Sequence, residues 1–396
     1  MSGFSPTAQE PAGWQTVAID ALDEVPEAPG VTLIEPPDGA PYLGKTRNLR
    51  RRLRRLLGLR LADGRTFGEA VDSASYCPVG SPFESEWRLW RTGRTVWPQR
   101  YRARLRLRPA PLLKAHLSNP YPRTSVTTQL SAGRSLYFGP FRSRAAAEDF
   151  QDKFLDFFGV RRCTENLDPT PQHPGCIYGE MGKCLRPCQE AVSIEQYRGE
   201  AGRLLEALHT RGDSLRRELE QARASASEEL EFEEAARLHR RLERLDAALA
   251  GLDPVSHDVD RLHGVVIQRA AEASAVILWP LCRGFLLDPV ALSLASDGKQ
   301  ISLDRRLREA LTGADLTPPD DDAAGRQDSL ALLRRWMWSS WREGELIVFE
   351  GFDRIPYRKL VNAVSRVVRG DAPPALETAA MRRAARGAAP SPHSGA

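Results

Sequence analysis

Two groups of residues in this chain have the types and spacing to do chemistry. Cys163, Cys176, Cys184 and Cys188 follow a C-x12-C-x7-C-x3-C pattern among prolines and glycines. Cysteines gathered over so short a stretch are a donor set for a soft metal. Reduced, unliganded thiols are the alternative. Cys77 and Cys282 stand in apolar, strand-like runs and read as core residues. His173, close to the cluster, reads as a surface-loop histidine, with a ligand role as the alternative. The second group is PYLGKTRNLRRRLRRLL, residues 41–57, with seven Lys and Arg behind Tyr42-Leu43-Gly44. From Tyr42 to Arg108 there are 17 Lys and Arg against 5 Asp and Glu, nearly all of the basic residues arginine. The guanidinium is a planar, multi-donor fork that suits phosphate oxygens. The excess therefore reads as a grip on nucleic acid, with Arg47, Asn48, Arg51 and Arg55 as contacts. The alternative is a solvated face in a chain that uses arginine almost everywhere and has only six lysines.

The elements that must hold these groups can be read along the chain. At 396 residues, 41% hydrophobic and 27% charged, it is long enough for two or three cored domains of ordinary composition. Nothing in it reads as a signal peptide or a membrane span, so we expect a cytoplasmic protein with reduced cysteines. GVTLIE and PYLG predict the two strands of a hairpin. Asn48 predicts the cap of a helix whose apolar stripe is Leu49, Leu53, Leu56 and Leu57. SASYCPV predicts a third strand, and Ser81, Pro82 and Glu84 predict the capped start of another helix. Residues 30–93 thus read as a ββαβα module. Strand-like runs follow at 101–108, 124–129 and 135–139, then an amphipathic helix near 143–158, the cysteines, and helices at 193–210 and 213–250, the last broken near Leu230. Beyond Asp258 come strands, helical runs at 303–311 and 326–342, and ELIVFE. The expected organisation is α/β: a disordered 1–23, a first module at 24–108, a cysteine region at 109–212, a helical hairpin at 213–252, a smaller α+β region at 253–370 and a disordered tail at 371–396.

The first module resembles a GIY-YIG nuclease domain, in the version found in UvrC-type excinucleases. Gly30-Val31-Thr32 stands at the first motif and Tyr42-Leu43-Gly44 at the second. Lys45, Asn48, Leu49 and Arg52 match the signature that follows, and ESEWRLWR resembles the helix that carries the family's glutamate, here Glu86. The resemblance implies a phosphodiesterase site. Tyr42 would be general base or water-positioner, Lys45 and Arg52 would contact phosphate, and Glu86 would hold Mg²⁺ or Mn²⁺. The chain departs from the pattern at Thr32, where a tyrosine is usual, and at Leu56, where a proton-handling residue is common. YFGPF and GKCLRPC are also similar to this family, which implies a 4Fe-4S cluster on the four cysteines, with Zn²⁺ as the alternative.

ASEELEFEEAARLHRRLERL (226–245) resembles the UVR motif, the hairpin through which such proteins bind UvrB. Phe232, Ala235, Ala236 and Leu238 would then meet the partner; an ordinary intramolecular hairpin is the alternative. His239-Arg240 stands where Arg-Asp is usual. No constellation for an RNase H-like site and no helix-hairpin-helix segment is legible after 260, so the layout is similar to the shorter Cho-type nucleases. The implied function is a metal-dependent DNA endonuclease of nucleotide excision repair, a monomer recruited by a UvrB-like protein to make one incision near a lesion. The alternatives are a DNA-binding adaptor that has lost cleavage and a redox-responsive DNA-binding protein.

Overall fold

In the computed structural model, which describes residues 13–372 apart from 37–38, 60–63, 65, 132, 296–300 and 321, the expected hairpin forms one side of the first sheet. Its strands are β1 (Gln15–Ala18), β2 (Gly30–Ile34) and β3 (Tyr42–Thr46). Helix α1 (Leu49–Leu57) and the short α2 (Phe67–Ala70) lead to β4 (Ser73–Pro78), and α3 (Pro82–Val96) follows. The sheet order is β1-β4-β2-β3, antiparallel throughout. Strands β2 and β3 alternate their side chains between two helices. Ile34 packs with Leu49, Leu53, Leu56 and Leu57 of α1, while Val31, Leu33 and Leu43 pack with Leu89 of α3. Gly30 is needed at the crossing: a Cβ there would come within 2.6 Å of Leu49 Cδ1.

The predicted caps form with one difference. Asn48 Oδ1 accepts from Arg51 N at 2.9 Å and Ser81 Oγ accepts from Glu84 N at 3.1 Å. The Glu84 carboxylate accepts from Gly80 N at 2.9 Å and pairs with Arg88 at 2.9 Å. Burial pushes the Glu84 carboxyl up in pKa, and the Arg88 charge opposes that rise.

Two expectations are overturned here. The N-terminus was expected to be disordered through residue 23, but β1 pairs with β4, with Gln15 opposite Tyr76. A 3₁₀ turn over Ile19–Glu24 then leads to Val25, which is buried like Val17. The free edge of β4 offers unpaired backbone groups, and Val17 supplies the apolar contact that makes pairing favourable. Residues 1–12, like the tail from 373, lie outside the described residues. The alternating run at 101–108 was expected to be a strand; it opens instead with a helical turn, α4 (Tyr101–Arg104). Tertiary contact overrides the alternation, because the buried Tyr101 is held by Asp328, 227 residues further along the chain.

The middle of the chain contributes β5 (Leu112–His116), β6 (Thr124–Thr127), β7 (Ser135–Gly139), α5 (Arg144–Leu155), α6 (Ile177–Glu180), α7 (Ile194–His209), α8 (Asp213–Glu228), α9 (Phe232–Ala250) and β8 (His257–Asp258). The second sheet runs β6-β5-β7-β8. One core joins Phe138, Phe150 and Phe154 to Tyr197, Leu215, Leu219, Leu238, Leu242 and Leu245, so the α8–α9 hairpin packs onto the cysteine region. The predicted break falls at Leu230, which has φ +61°.

The C-terminal region holds β9 (His263–Arg269), β10 (Ala275–Cys282), β11 (Phe285–Leu286), β12 (Val290–Ser293), α10 (Leu303–Thr312), α11 (Ala323–Met337), β13 (Glu345–Phe349) and α12 (Tyr357–Arg369). Its sheet runs β11-β10-β9-β13, with β12 also on β10. Helix α12 was not anticipated from the sequence; Leu360, Ala363, Val364 and Val367 bury one side of it. Helices α10 and α12 cover one face of this sheet. The other face meets α11 and α3, where Phe83 packs edge-on against Trp279 and Trp336 at 5.1 and 5.4 Å. This core spans the boundaries expected at 108/109 and 252/253. The buried Asp328 of α11 reinforces it, accepting from Trp90 Nε1 at 3.1 Å, Tyr101 OH at 2.5 Å and Arg102 Nε at 2.7 Å.

Candidate phosphate-handling site

Edge strand β3 carries two of the four residues expected to be catalytic, and its pleat sends them to opposite faces. Tyr42 faces α1, where the Arg52 guanidinium donates to its hydroxyl and lies 5.4 Å from the ring centroid. Gly44 makes room for the phenol: a Cβ there would come within 2.7 Å of the Tyr42 hydroxyl. The glycine of the Tyr-Leu-Gly motif therefore has a local steric reason. Lys45 faces α3, and its Nζ meets Glu86 Oε1 at 2.5 Å. The four residues thus come together as two pairs on either side of one edge strand. Among the described residues no hydrogen bond or ion pair joins one pair to the other.

The second pair has a member that sequence reasoning missed. Arg335 of α11 meets Glu86 Oε2 at 2.5 Å through Nη1, and its Nη2 donates to Leu105 O at 2.9 Å and to Arg106 O. Glu86 is 8% exposed, so each carboxylate oxygen faces a cation in a largely buried setting. The only trace in the sequence is the Arg334-Arg335 step on a helix; nothing local ties it to Glu86, 249 residues earlier. Among the described residues, no group of three or more His, Cys, Asp or Glu side chains is arranged to hold a metal ion. A lone carboxylate with both oxygens ion-paired does not fit a divalent cation as it stands.

The two departures from the family pattern have structural explanations. Thr32 is fully buried, and its hydroxyl donates to Gly44 O at 3.3 Å, which occupies it within the sheet. Leu56 is buried in the core beneath α1. The candidate DNA contacts Arg47, Arg51 and Arg55 are exposed, while Asn48 is committed to the helix cap and donates to Glu27 at 3.4 Å.

The four cluster cysteines are all free thiols. Burial pushes Cys184 up to about 11, and charge on Cys163, Cys176 and Cys188 adds to the rise. The same causes, burial first, raise Cys188. Arg161 donates to Cys163 Sγ at 3.5 Å, and Arg186 N to Cys184 Sγ at 3.4 Å. Their donor chemistry suits a soft metal, though they do not form a closed ligand set. His173 Nδ1 accepts from Gly175 N at 3.0 Å within its own turn. Cys77 and Cys282 are buried.

On the hairpin, Phe232 is 67% exposed and Ala236 is exposed, next to Leu230 at 69%. Ala235 packs partly against the core and Leu238 is buried in it. The expected single partner-facing stripe is thus divided: Leu238 serves the hairpin's own packing, and Phe232 and Ala236 face outward. Leu230, Phe232, Ala236, Arg237 and Arg240 line one depression at the hairpin tip. Among the described residues no helix is long and apolar enough to cross a membrane.

Residues 110–207 match the family model of the UvrC/Cho excinuclease middle domain. A UvrABC system protein C from Salinispora arenicola is 31% identical over 235 residues, covering 57% of this chain and 35% of that protein. Another from Streptomyces avermitilis is 26% identical over 380 residues, covering 91% of this chain and 54% of that protein. The chain thus spans about a third to a half of the length of these curated relatives. No solved structure matches. Residues 110–207 are thus similar to the UvrC/Cho excinuclease middle domain, and the chain is similar to UvrC-type proteins over much of its length.

Proposed function

We propose that this protein acts in nucleotide excision repair as a DNA endonuclease that makes one incision near a lesion, recruited by a UvrB-like partner. The observation that carries the reading is the half-buried Tyr42–Arg52 pair on an edge strand beside an arginine-coated helix. Because Arg52 donates to the phenol oxygen, the phenol's own proton is left for another acceptor, such as a water aimed at phosphorus. Arg52, Lys45 and the exposed Arg47, Arg51 and Arg55 are the groups that would hold phosphate oxygens. Mg²⁺ or Mn²⁺ dependence belongs to this reading by family likeness alone. The cysteines Cys163, Cys176, Cys184 and Cys188 would hold a 4Fe-4S cluster, or zinc, whose contribution is to staple a loop poor in apolar residues. Phe232 and Ala236 would meet the partner, consistent with their exposure.

The second reading, a DNA-binding adaptor without cleavage, is favoured by Thr32, Leu56 and the doubly paired Glu86. Incision of an end-labelled, lesion-bearing duplex, with Mg²⁺ or Mn²⁺ and with or without UvrB, separates the two. A single cut that is lost in Tyr42→Phe and Arg52→Gln supports the nuclease. Binding by the folded protein with no cut under any of these conditions leaves the adaptor.

A further inference from the structure

The Lys45–Glu86–Arg335 chain of ion pairs joins β3 to α11 through a single carboxylate. Positive charge accumulates on its far side. Arg335 anchors the backbone of Leu105 and Arg106, so the turn that bears the exposed Arg106 and Arg108 lies against α11. Arg106 has φ +49°, the left-handed region, and Leu107 is buried between the two exposed arginines. One residue before Arg335, Arg334 donates through Nε and Nη2 to Arg142 O at 3.0 and 2.8 Å, which brings in the exposed Arg142. The charges of Arg108 and Arg335 both bear on Arg334 and, after burial, hold its pKa down. Among the described residues, Arg106, Arg108, Arg142 and Arg334 have no carboxylate within ion-pair distance. Asp253, whose charge Arg142 feels, is bound by the Trp338 indole at 3.0 Å.

Like charges brought together from three separate segments repel one another, so their convergence calls for a polyanion to offset it. Contrast α10, where Arg305 and Arg308 each sit 2.8 Å from an acid on the same helix. We propose that Arg106, Arg108, Arg142 and Arg334 form a phosphate-binding surface that carries duplex DNA from the β3 edge onto the C-terminal region. The proposal rests on the DNA-acting reading above and deepens it, because it gives the otherwise unassigned C-terminal region a share of the substrate. A duplex presents phosphates densely enough for several guanidiniums to engage at once.

The test is fluorescence anisotropy of the full chain with a labelled duplex, with Kd measured from about 50 to 200 mM salt. Neutralising one arginine that binds phosphate lowers the slope of log K against log salt by about 0.9. Arg108→Gln should lower it by about one such step, and Arg108→Gln with Arg334→Gln by about two. Arg305→Gln on α10 should leave it unchanged. Arg108 is exposed and its single substitution does not threaten the fold, so that variant decides the matter even if the double variant is unstable. A wild-type slope in Arg108→Gln, with a reduced slope in Arg51→Gln/Arg55→Gln, overturns the surface and leaves the DNA-acting reading intact. No duplex binding by the wild-type protein overturns both.

Discussion

Asp328 ties the first module to the C-terminal region, and removing it should be felt by both. Its carboxylate, 2% exposed, accepts from Trp90, Tyr101 and Arg102 across more than 220 residues of chain. Arg102 is 41% exposed, so solvent screening keeps its ion pair below about 1 kcal/mol. The Trp90 and Tyr101 bonds go to a buried charge and are worth roughly 1.5–3 kcal/mol each. Asp328→Ala leaves the indole N–H and phenol without their acceptor and should lower stability by about 3–5 kcal/mol. Asp328→Asn keeps the shape and one acceptor and should lose about 2 kcal/mol. Burial, and then the Asp328 bond and charge, push the Tyr101 phenol up to about 12. In Asp328→Asn the burial remains and the charge goes, so the phenol should titrate lower than in the wild type. Urea unfolding followed by tryptophan fluorescence, with ultraviolet titration of tyrosine, reads both effects. Because the core at Phe83, Trp279 and Trp336 is shared, unfolding should be a single transition that the substitution shifts as a whole. A loss under about 1 kcal/mol in Asp328→Ala, or separate wild-type transitions for the two regions, would refute the shared core.

Other outcomes follow from the same geometry. Arg335 and Lys45 occupy Glu86, so Arg335→Gln should strengthen Mn²⁺ binding by about tenfold or more, a gain abolished by adding Glu86→Gln. Titration of Mn²⁺ by electron paramagnetic resonance reads this without any nuclease assay, and equal affinity in wild type and Arg335→Gln sinks it. His116 is pushed down to about 4 by burial and by the charges of Arg123, Lys114 and Arg161. The folded state keeps this ring neutral while the unfolded chain takes a proton below about 6.5, so its share of stability is full above that pH and lost from there toward 4. His116→Gln should flatten the fall in melting temperature over that window. Leu238→Ala should lower stability by about 2–5 kcal/mol, because it empties a core position. Phe232→Ala, at an exposed position, should leave the melt unchanged and weaken capture by a UvrB-like partner.

Local chemistry was enough to write much of the first module from its sequence. Asn48 and Ser81 cap helices because their side chains reach backbone groups three residues on. The leucine stripe of α1 and the alternation of β2 and β3 fix which sides are buried. The excess of arginine and the spacing of the cysteines were also visible, because charge and ligand type belong to the residues themselves. The hairpin break at Leu230 fell where the pattern placed it. Tertiary structure decided the rest. Whether Val17 adds a strand depends on the free edge of β4, distant in sequence, and whether 101–104 coils into a helical turn depends on Asp328. The division of Tyr42–Arg52 from Lys45–Glu86 follows from the pleat of one edge strand, and Arg335 reaches Glu86 only because α11 packs on α3. Such contacts join residues with no shared local pattern, and their strength comes from burial that exists only once the chain has folded.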